Sequence, residues 1–339
     1  MSEPIRWAIV GTAGIAESAF LPALRATGDG VASVVASRSL ERAEMWAAEH
    51  GVARGIEGYE RVVTDPEVDA IYIPLPNALH AEWTIAALEA GKAVLCEKPL
   101  CANPEQTARV LDSAATSPGP LWEAFVFPFH EQIDRVRALI AEGAVGDVRE
   151  IVSRFHFRLD DPSDIRMLAE LAGGSIQDVG CYPIRLARLL FDAEPSIGDA
   201  IADAVWLEPG EATRPDDPAL DTELWGALRF PGDRRLLLSS GFLSQEDTLT
   251  RVMGTQGEIR MTNPFHPGSG DTFSLVREGL PDEVFPAMPS GEPSFTPAIR
   301  HIHQVLRGST GPRHLAIDDA LGNATAIAAL LDSARSHTA

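Results

Sequence analysis

The stretch from Ile5 to about Ala26 constrains the fold most, because it reads as a strand, a tight turn and a helix. Ile5–Val10 is an apolar run of strand length, Gly11–Ala16 consists mainly of small residues, and a helical pattern follows. In such a unit, small residues let the backbone approach a pyrophosphate, whose charge is met by free amides and the positive helix end. We therefore predict a parallel sheet with a dinucleotide loop formed by Gly11, Thr12, Ala13, Gly14, Ile15 and Ala16. A purely structural turn is the alternative, because alanines replace two glycines of the usual pattern.

The end of the second predicted strand indicates which nucleotide this loop would hold. Val31–Ala36 is followed by Ser37 and Arg38, and Arg42 lies one helical turn further on. An NAD site usually has an acidic residue at this strand end, whereas arginine accommodates the 2′-phosphate of NADP. The strand end has no carboxylate, so Ser37, Arg38 and Arg42 predict NADP in preference to NAD. A solvated helix start is the alternative.

The third predicted strand, Ala70–Pro74, leads into a proline-stiffened loop. Two prolines flank Leu75, and such a loop is suited to stay open at the carboxyl edge of a sheet. We expect this loop to cover the cofactor through Leu75, Pro76, Asn77 and His80. For His80, a hydrogen-bonding role within the helix is the main alternative.

The apolar run Ala93–Cys96 ends in Glu97-Lys98-Pro99. This triplet brings a carboxylate, an amine and a rigid bend to the carboxyl end of a strand, where open α/β sheets place their chemistry. Pro99 favours an extended Lys98, and an X-Pro bond is the one peptide bond commonly found in cis. We predict Lys98 as a catalytic residue and Glu97 and Lys98 as cofactor contacts. An exposed lysine at a strand end is the alternative.

One predicted helix, beginning near Gly173, interrupts a run of later strands. Asp178 and Tyr182 lie four residues apart, which places a carboxylate and a phenol on one helical face. Gly180 between them lacks a side chain, where we expect another molecule to approach. Asp178 and Tyr182 are therefore predicted catalytic residues; the alternative is a helix whose Asp and Tyr merely meet solvent and core.

The length of 339 residues and an apolar fraction of 45% predict two domains. Strands alternating with helices predict a doubly wound α/β Rossmann domain over residues 1–125. Consecutive strands predict an α+β domain over 126–339 with an open, mainly antiparallel sheet, and the last helices are free to pack back on the first domain. The charged, proline-rich stretch Glu208–Asp221 is predicted to be an exposed loop.

Composition excludes several classes of protein. The formal charge of −21, from 28 basic and 49 acidic residues, argues against a nucleic-acid partner. No apolar segment approaches the length of a membrane span and no signal peptide opens the chain, so we expect a cytoplasmic protein without a membrane partner. Three cysteines without paired ligand spacing predict neither disulfides nor a metal site.

Together these residues resemble the Gfo/Idh/MocA family of oxidoreductases over nearly the whole chain. The resemblance rests on Gly11–Ala16, Pro76-Asn77-x-x-His80, Glu97-Lys98-Pro99, Glu123-Ala124-Phe125 and Gly173-Gly174 to Tyr182. Members of the family pair a Rossmann domain with a C-terminal domain whose open sheet often joins subunits. The resemblance therefore implies a homodimer or homotetramer formed through the C-terminal sheet. Ala13, and Ser175 where a third glycine is common, depart from the pattern.

Many family members carry His at the position of Tyr182. Tyr182, the Ser37-Arg38 strand end and the run Phe157–Pro162 resemble a branch of NADP-dependent sugar and diol dehydrogenases. This resemblance implies oxidation of the anomeric hydroxyl of an aldose, such as xylose or glucose, to a lactone. The alternatives are a trans-dihydrodiol dehydrogenase, a reductase of a dicarbonyl or anhydro sugar, a redox-neutral enzyme that keeps its nucleotide, and a non-catalytic nucleotide-binding regulator.

Oxidation of a hydroxyl needs a hydride acceptor and a base within reach of the oxygen. We predict that Lys98 and Tyr182 share a proton relay, with either one as the acceptor, and that Asp178 orients the substrate hydroxyl or the lysine amine. His156, Arg158 and Arg166 are further pocket candidates, each equally suited to a surface or an interface.

Overall fold

The computed structural model of the chain describes residues 3–207, 219–314 and 316–338. Contacts between Cα atoms define two compact units. The first unit holds the residues up to Val126 together with Glu292–Leu321, and the second holds Phe127–Gly291 together with the residues from Gly322. The division at residue 125 stays a prediction; the contacts additionally group Glu292–Leu321 with the N-terminal residues.

The first unit is built on a six-stranded parallel sheet with the strand order β3-β2-β1-β4-β5-β6. Its strands are β1 (Ile5–Val10), β2 (Gly30–Ser37), β3 (Arg54–Glu57), β4 (Ala70–Ile73), β5 (Ala93–Cys96) and β6 (Leu121–Glu123). This order is that of a dinucleotide-binding fold, whose crevice lies outside the carboxyl ends of the strands. The sequence did not predict β3, because Arg-Gly-Ile-Glu is neither apolar nor alternating over a useful length.

Six helices accompany this sheet among the described residues of the first unit. They are α1 (Leu21–Thr27), α2 (Leu40–His50), α3 (Glu60–Val63), α4 (Asn77–Glu89), α5 (Pro104–Thr116) and α8 (Thr296–Leu306). Their caps follow ordinary rules: Ser39 accepts from the Arg42 amide at the start of α2, and Asn103 accepts from the Gln106 amide at the start of α5. A π-helical turn, Ala16–Phe20, precedes α1.

The second unit contains an eight-stranded sheet with the order β14-β13-β12-β11-β7-β10-β9-β8. Its strands are β7 (Val148–His156), β8 (Ile201–Leu207), β9 (Leu220–Phe230), β10 (Arg234–Gly241), β11 (Thr250–Gly254), β12 (Glu258–Met261), β13 (Thr272–Val276) and β14 (Glu283–Pro286). The pair β7 and β10 is parallel and the other neighbours are antiparallel, which confirms the predicted mainly antiparallel sheet.

Two helices, α6 (Glu131–Ala141) and α7 (Cys181–Phe191), belong to this unit, and a π-helical turn, Ile176–Gly180, leads into α7. The last helix, α9 (Ala316–Thr338), closes the described chain. Most of the predicted loop Glu208–Asp221 lies outside the described residues. Its end differs from the prediction, because β9 already begins at Leu220 and Asp221 is buried. No helix among the described residues is both long enough and apolar enough to span a bilayer.

Candidate active site

The predicted dinucleotide loop follows β1 at the carboxyl edge of the first sheet. Gly11 has φ +104°, a conformation that side-chain-bearing residues rarely adopt, and a Cβ there would stand 2.9 Å from Leu75 Cδ2. Gly14 has no atom within 4 Å of the place where a Cβ would stand. The nucleotide loop therefore packs against the loop after β4 at Gly11, and it has open space at Gly14. This cradle fits the close approach of a pyrophosphate, even with Ala13 in place of glycine.

Two exposed cations follow β2: Arg38 comes directly after the strand, and Arg42 lies on α2. Ser37 is buried, whereas Arg38 and Arg42 are exposed, and Arg42 Nε donates to Thr12 Oγ1 at 2.7 Å. Burial raises the pKa of the neighbouring Tyr59, and the positive charges of Arg38 and Arg42 oppose that rise. Neither arginine has a carboxylate partner among the described residues. Arg42 therefore joins the second strand end to the nucleotide loop, and both charges are available to an anion.

His80 supports the loop between β4 and α4. The ring is fully buried, with Nδ1 2.9 Å from the Pro99 carbonyl oxygen and Nε2 2.7 Å from the Leu75 carbonyl oxygen. Burial lowers the pKa of His80, and the nearby charge of Lys98 lowers it further. The hydrogen-bonding alternative describes this side chain: any influence on a cofactor passes through the Leu75-Pro76-Asn77 loop that it holds.

The triplet after β5 is fixed by buried hydrogen bonds. Tyr72 Oη donates to Glu97 Oε1 at 2.7 Å, and Glu97 is only 9% exposed. The Lys98 amide lies 3.3 Å from Glu97 Oε2, and the Lys98-Pro99 peptide bond is cis. Glu123, at the end of β6, accepts from the Leu100 amide at 2.8 Å. These bonds hold the backbone of Lys98 at the carboxyl edge of the sheet while its side chain stays partly exposed.

Lys92 and Lys98 are the two lysines of the sequence. Lys92 Nζ donates to the carbonyl oxygens of Asp65 and Val68 at 2.6 and 2.7 Å, so its role is to tie two loops. In a chain that otherwise uses arginine for positive charge, Lys98 supplies an amine whose protonation can change, which a guanidinium cannot provide.

The second unit ties Asp178 into an ion-paired group. Arg166 Nε donates to Asp178 Oδ2 at 2.9 Å, and Arg166 Nη1 donates to Asp164 Oδ1 at 3.1 Å. Asp178, foremost, and Asp164 raise the pKa of Arg166. Asp178 is thereby oriented by a cation that the sequence offered only as one of several pocket candidates.

Tyr182 is 4% exposed and lies among aromatic rings. The ring centroids of Phe265, Phe155 and Phe127 lie 5.1, 5.4 and 6.1 Å from that of Tyr182. This packing fixes the phenol in one orientation. The ion-paired group consists of Asp164, Arg166 and Asp178, and the aromatic group consists of Tyr182, Phe155 and Phe265. The segment that carries Asp178 and Tyr182 links the two groups, and we call them together the acid-aromatic cluster.

The expected role of Gly180 is corrected by the structure. A Cβ at Gly180 would stand 3.0 Å from Ser240 Oγ on β10. The absence of a side chain at Gly180 therefore lets the helical segment approach the sheet closely. The helix packs closely on its own sheet there, and the space is not open to another molecule. Of the other pocket candidates, Arg158 pairs with Asp160 on the surface, and His156 Nε2 lies 2.8 Å from Ser239 Oγ on β10.

The sequence did not indicate two further residues of the candidate site. His266 Nε2 lies 3.1 Å from Tyr182 Oη, and buried Asp221 accepts a hydrogen bond from Ser175. His266 stands in the segment Asn-Pro-Phe-His-Pro-Gly between two short strands, where the paired prolines were the available signal. The sequence contains no signal for Asp221, because this residue stands at the end of a polar stretch. No group of three or more His, Cys, Asp or Glu side chains with metal-binding geometry occurs among the described residues.

Lys98 lies in the first unit and Asp178 and Tyr182 lie in the second, so their joint action stays a prediction. Each unit has what a two-domain oxidoreductase requires of it. The first has a nucleotide-type loop on a parallel sheet, and the second has an open sheet with a helical segment that bears Asp178 and Tyr182. The chain belongs to the Gfo/Idh/MocA family. Residues 5–125 match the oxidoreductase family with an NAD-binding Rossmann fold, and residues 133–260 match the GFO/IDH/MocA C-terminal domain.

Similar proteins agree with this assignment. D-xylose 1-dehydrogenase (NADP(+)) 2 from Haloferax volcanii is 38% identical over 76% of each chain. A dTDP-3,4-didehydro-2,6-dideoxy-alpha-D-glucose 3-reductase from Streptomyces violaceoruber is 36% identical over 84% of this chain and 82% of that protein. Among solved structures, a 3-ketoreductase from Actinomadura kijaniata in complex with NADP and TDP-benzene matches with a TM-score of 0.86 at 29% identity over 98% of both chains. The predicted family, fold class and oxidoreductase activity are confirmed.

Proposed function

We propose that the chain is an NADP-dependent dehydrogenase that oxidises the anomeric hydroxyl of an aldose, such as xylose or glucose, to a lactone. The acid-aromatic cluster carries this proposal. Its carboxylates are hydrogen-bond acceptors suited to sugar hydroxyls, and Phe155, the partly exposed ring of the cluster, offers an apolar surface to a sugar ring. Arg166 brings one positive charge against the two carboxylates of Asp164 and Asp178. The balance is negative, which favours a neutral substrate.

A keto sugar carried on a nucleoside diphosphate is the second candidate, because a relative named for such a substrate is similar over most of its length. A diphosphate would need cations free to meet it. Arg166, the cation of the acid-aromatic cluster, already pairs with Asp178 at 2.9 Å. The charge of the cluster thus supports the aldose over the diphosphate sugar.

NADP as the cofactor is supported by the strand end of β2 and by relatives that use it. Arg42 offers positive charge beside Thr12, in the loop that would hold the pyrophosphate, and Arg38 follows β2 directly. The xylose dehydrogenase is named for NADP, and the 3-ketoreductase structure contains it. Bound there, NADP supplies the hydride acceptor. We assign the loop residues Gly11–Ala16, together with Ser37, Arg38 and Arg42, to its recognition.

For the chemistry we propose Lys98, Asp178 and Tyr182. Lys98 or Tyr182 takes the proton of the substrate hydroxyl while hydride leaves the carbon that bears this hydroxyl. Asp178, held by Arg166, accepts a hydrogen bond from the substrate and so fixes its orientation. Glu97 acts on Lys98 through the backbone that it and Tyr72 hold in place.

The test is the formation of NADPH, followed by absorbance, when the purified protein is mixed with NADP and D-xylose, D-glucose or a cyclic trans-diol. NAD is run in parallel, and NADPH with a dTDP-linked keto sugar tests the second candidate. Turnover of an aldose with NADP supports the proposal. Turnover of the dTDP-linked sugar alone replaces it with the second candidate, and binding of NADP without turnover of any substrate supports a regulator or a redox-neutral enzyme.

We further propose that the chain self-associates through its second sheet. Ile201, Val205, Trp225 and Leu237 are 63, 39, 46 and 38% exposed. The strand registers place Ala227 between Ile201 and Leu237, and Trp225 beside Asp203, so these side chains share one face. Exposed apolar side chains grouped on one sheet face mark an interaction surface.

Light scattering after gel filtration tests this assembly. We expect a particle of at least twice the chain mass of 36.4 kDa. Trp225→Glu should convert it to a monomer, because the charge would be buried in the interface. Glu105→Gln, exposed on α5 of the first unit, is the control. A monomeric wild type contradicts the proposal.

A further inference from the structure

The His266 imidazole contacts the predicted catalytic phenol. Nε2 of His266 lies 3.1 Å from Tyr182 Oη, and the two rings meet edge to face with centroids 5.4 Å apart. Either group can donate in this hydrogen bond, depending on the tautomer of the imidazole. The contact joins an imidazole, whose ordinary pKa lies near neutrality, to a phenol, whose ordinary pKa lies well above it.

The backbone of His266 is held by one side chain. Asn263 Oδ1 accepts from the His266 amide at 3.0 Å, and Asn263 Nδ2 donates to the His266 carbonyl oxygen at 2.8 Å. Asn263 Nδ2 also lies 3.2 Å from Asp271 Oδ2, and Gln132 on α6 donates to the Asn263 carbonyl oxygen at 3.2 Å. The loop therefore fixes where the imidazole stands before any substrate binds.

The neighbouring residue anchors the same loop in the aromatic core. Phe265 is fully buried and stacks on Phe155 with centroids 5.5 Å apart and an interplanar angle of 5°. Its ring also lies 5.1 Å from that of Tyr182. Pro264 and Pro267 restrict the backbone on either side. A residue placed by this much surrounding structure is suited to a positioning role.

A phenol alone is a weak base at neutral pH, because its ordinary pKa is about 10 and that of imidazole is about 6.5. A phenol that gives its own proton to an imidazole can take up another from a hydroxyl at the same time. In the second unit, His266 faces Tyr182 directly and Asp271 through Asn263, with Phe155 and Phe265 as apolar walls.

We propose that His266 is the proton acceptor behind Tyr182, an inference that rests on the proposed function. During oxidation the substrate O–H bond breaks and its proton forms a new bond to Tyr182 Oη. The former Tyr182 proton passes to His266 Nε2, while hydride leaves the carbon that bears the substrate oxygen and passes to NADP. The imidazolium then releases its proton to water. In reduction each transfer runs in reverse.

The first test reads the contact without turnover. The sequence has three tyrosines, Tyr59, Tyr72 and Tyr182, so tyrosine isotope-labelled at Cζ gives three NMR signals, and Tyr182→Phe assigns the third. We expect the Tyr182 signal to shift with an inflection at about pH 6 to 7, where imidazoles titrate. His266→Gln should abolish this inflection, because glutamine keeps a hydrogen-bonding amide but does not titrate. His337→Gln, which removes an imidazole that contacts the Ala202 carbonyl oxygen at 3.0 Å, is the matched control and should retain the inflection.

A wild-type Tyr182 signal without this inflection overturns the proposal, and so does an inflection that survives in His266→Gln. The second test uses the aldose that is turned over with NADP. We expect kcat to rise with pH through the same range in wild type, and His266→Gln to lower kcat at neutral pH by about 10- to 100-fold with little change in KM. Unchanged kcat and pH profile in His266→Gln contradict the proposal. Absence of turnover with every substrate refutes the proposed function, while the NMR titration still decides the pairing of His266 with Tyr182.

Discussion

Asp221 Oδ2 accepts a hydrogen bond from the Ser175 hydroxyl at 2.7 Å, where the segment that carries Asp178 and Tyr182 begins. The same oxygen accepts from the Ile176 amide at 2.8 Å, and Ser175 Oγ lies 2.9 Å from Ser240 Oγ. Asp221 therefore caps this helical segment from a neighbouring strand. The serine that departs from the family's glycine pattern is the residue that makes this link.

The first prediction concerns the charge of Asp221. Burial raises the pKa of Asp221 to about 6 despite these hydrogen bonds. A raised carboxyl pKa favours folding at low pH, and this contribution is lost as pH rises through about 6. Asparagine does not ionise, so its contribution does not change with pH. As pH rises from about 5 to about 8, the unfolding free energy of Asp221→Asn should therefore increase by about 1 kcal/mol relative to that of wild type.

Urea unfolding at a series of pH values measures this difference. Asp282→Asn, just before β14 in the same unit, is the matched control, because Asp282 is exposed. A constant difference between Asp221→Asn and wild type across the series contradicts the prediction.

The second prediction has the opposite sign with pH and concerns His303 in the first unit. Trp7 Nε1 donates to His303 Nε2 at 2.8 Å, and His303 Nδ1 lies 2.6 Å from Asp29 Oδ1, which also pairs with Arg307. With Nε2 as an acceptor, the ring is neutral and Nδ1 carries the proton. Burial lowers the pKa of His303, although Asp29 opposes this.

A lowered histidine pKa means that the unfolded chain binds the proton more readily. The resulting stability is complete above about pH 6.5 and is lost as pH falls below it. His303→Gln should therefore flatten the fall in thermal midpoint between about pH 7.5 and pH 5.5, and at the upper pH it should cost about 1–3 kcal/mol through the disturbed buried hydrogen bonds. His337→Gln serves as the control. Parallel curves for wild type and His303→Gln would exclude this role.

The third prediction tests the choice of nucleotide. Replacing both Arg38 and Arg42 by Ala should raise the KM for NADP by about 10- to 100-fold and leave the KM for NAD within about threefold, because only NADP carries the 2′-phosphate. Initial rates with each nucleotide measure this. Arg109→Ala, exposed on α5 of the same unit, is the control. An equal loss with both nucleotides would show that these arginines do not read the phosphate.

The fourth prediction separates the two lysines. Lys98→Met should lower kcat by more than about 100-fold. NADP binding, followed by fluorescence titration, should persist through the nucleotide loop, Arg38 and Arg42 without the predicted Lys98 contact. Lys98→Arg should also be impaired, because a guanidinium keeps the charge but does not titrate. Lys92→Met should lower the thermal midpoint and leave kcat nearly unchanged, because Lys92 ties the Asp65 and Val68 carbonyl oxygens. Undiminished turnover in Lys98→Met removes it from the proton relay.

Much of the fold was accessible from the sequence because its strands are apolar and short loops separate them. β1 and β5 were predicted at their observed bounds, Ile5–Val10 and Ala93–Cys96. β3 and β14 were missed, since Arg-Gly-Ile-Glu and Glu-Val-Phe-Pro lack an apolar run and their pairing depends on neighbouring strands.

The residues of the site were accessible only in part. Lys98, Asp178 and Tyr182 stand in local patterns that the sequence displays. His266 and Asp221 act through partners 84 and 46 residues away, at Tyr182 and Ser175, and such distances are set by strand register. Gly180 shows the same limit, because a missing side chain does not reveal whether its space belongs to a ligand or to Ser240.

The contact between Trp7 and His303 bears on how the protein is made. These residues are 296 positions apart, and α8, which carries His303, packs against α1 in the first unit. During synthesis the ribosome releases β1 long before its partner helix exists, so the nascent nucleotide-binding unit keeps an unfinished apolar side. The packing of β1 thus waits until a helix 296 positions further along has been translated, and chaperones have that interval in which to act.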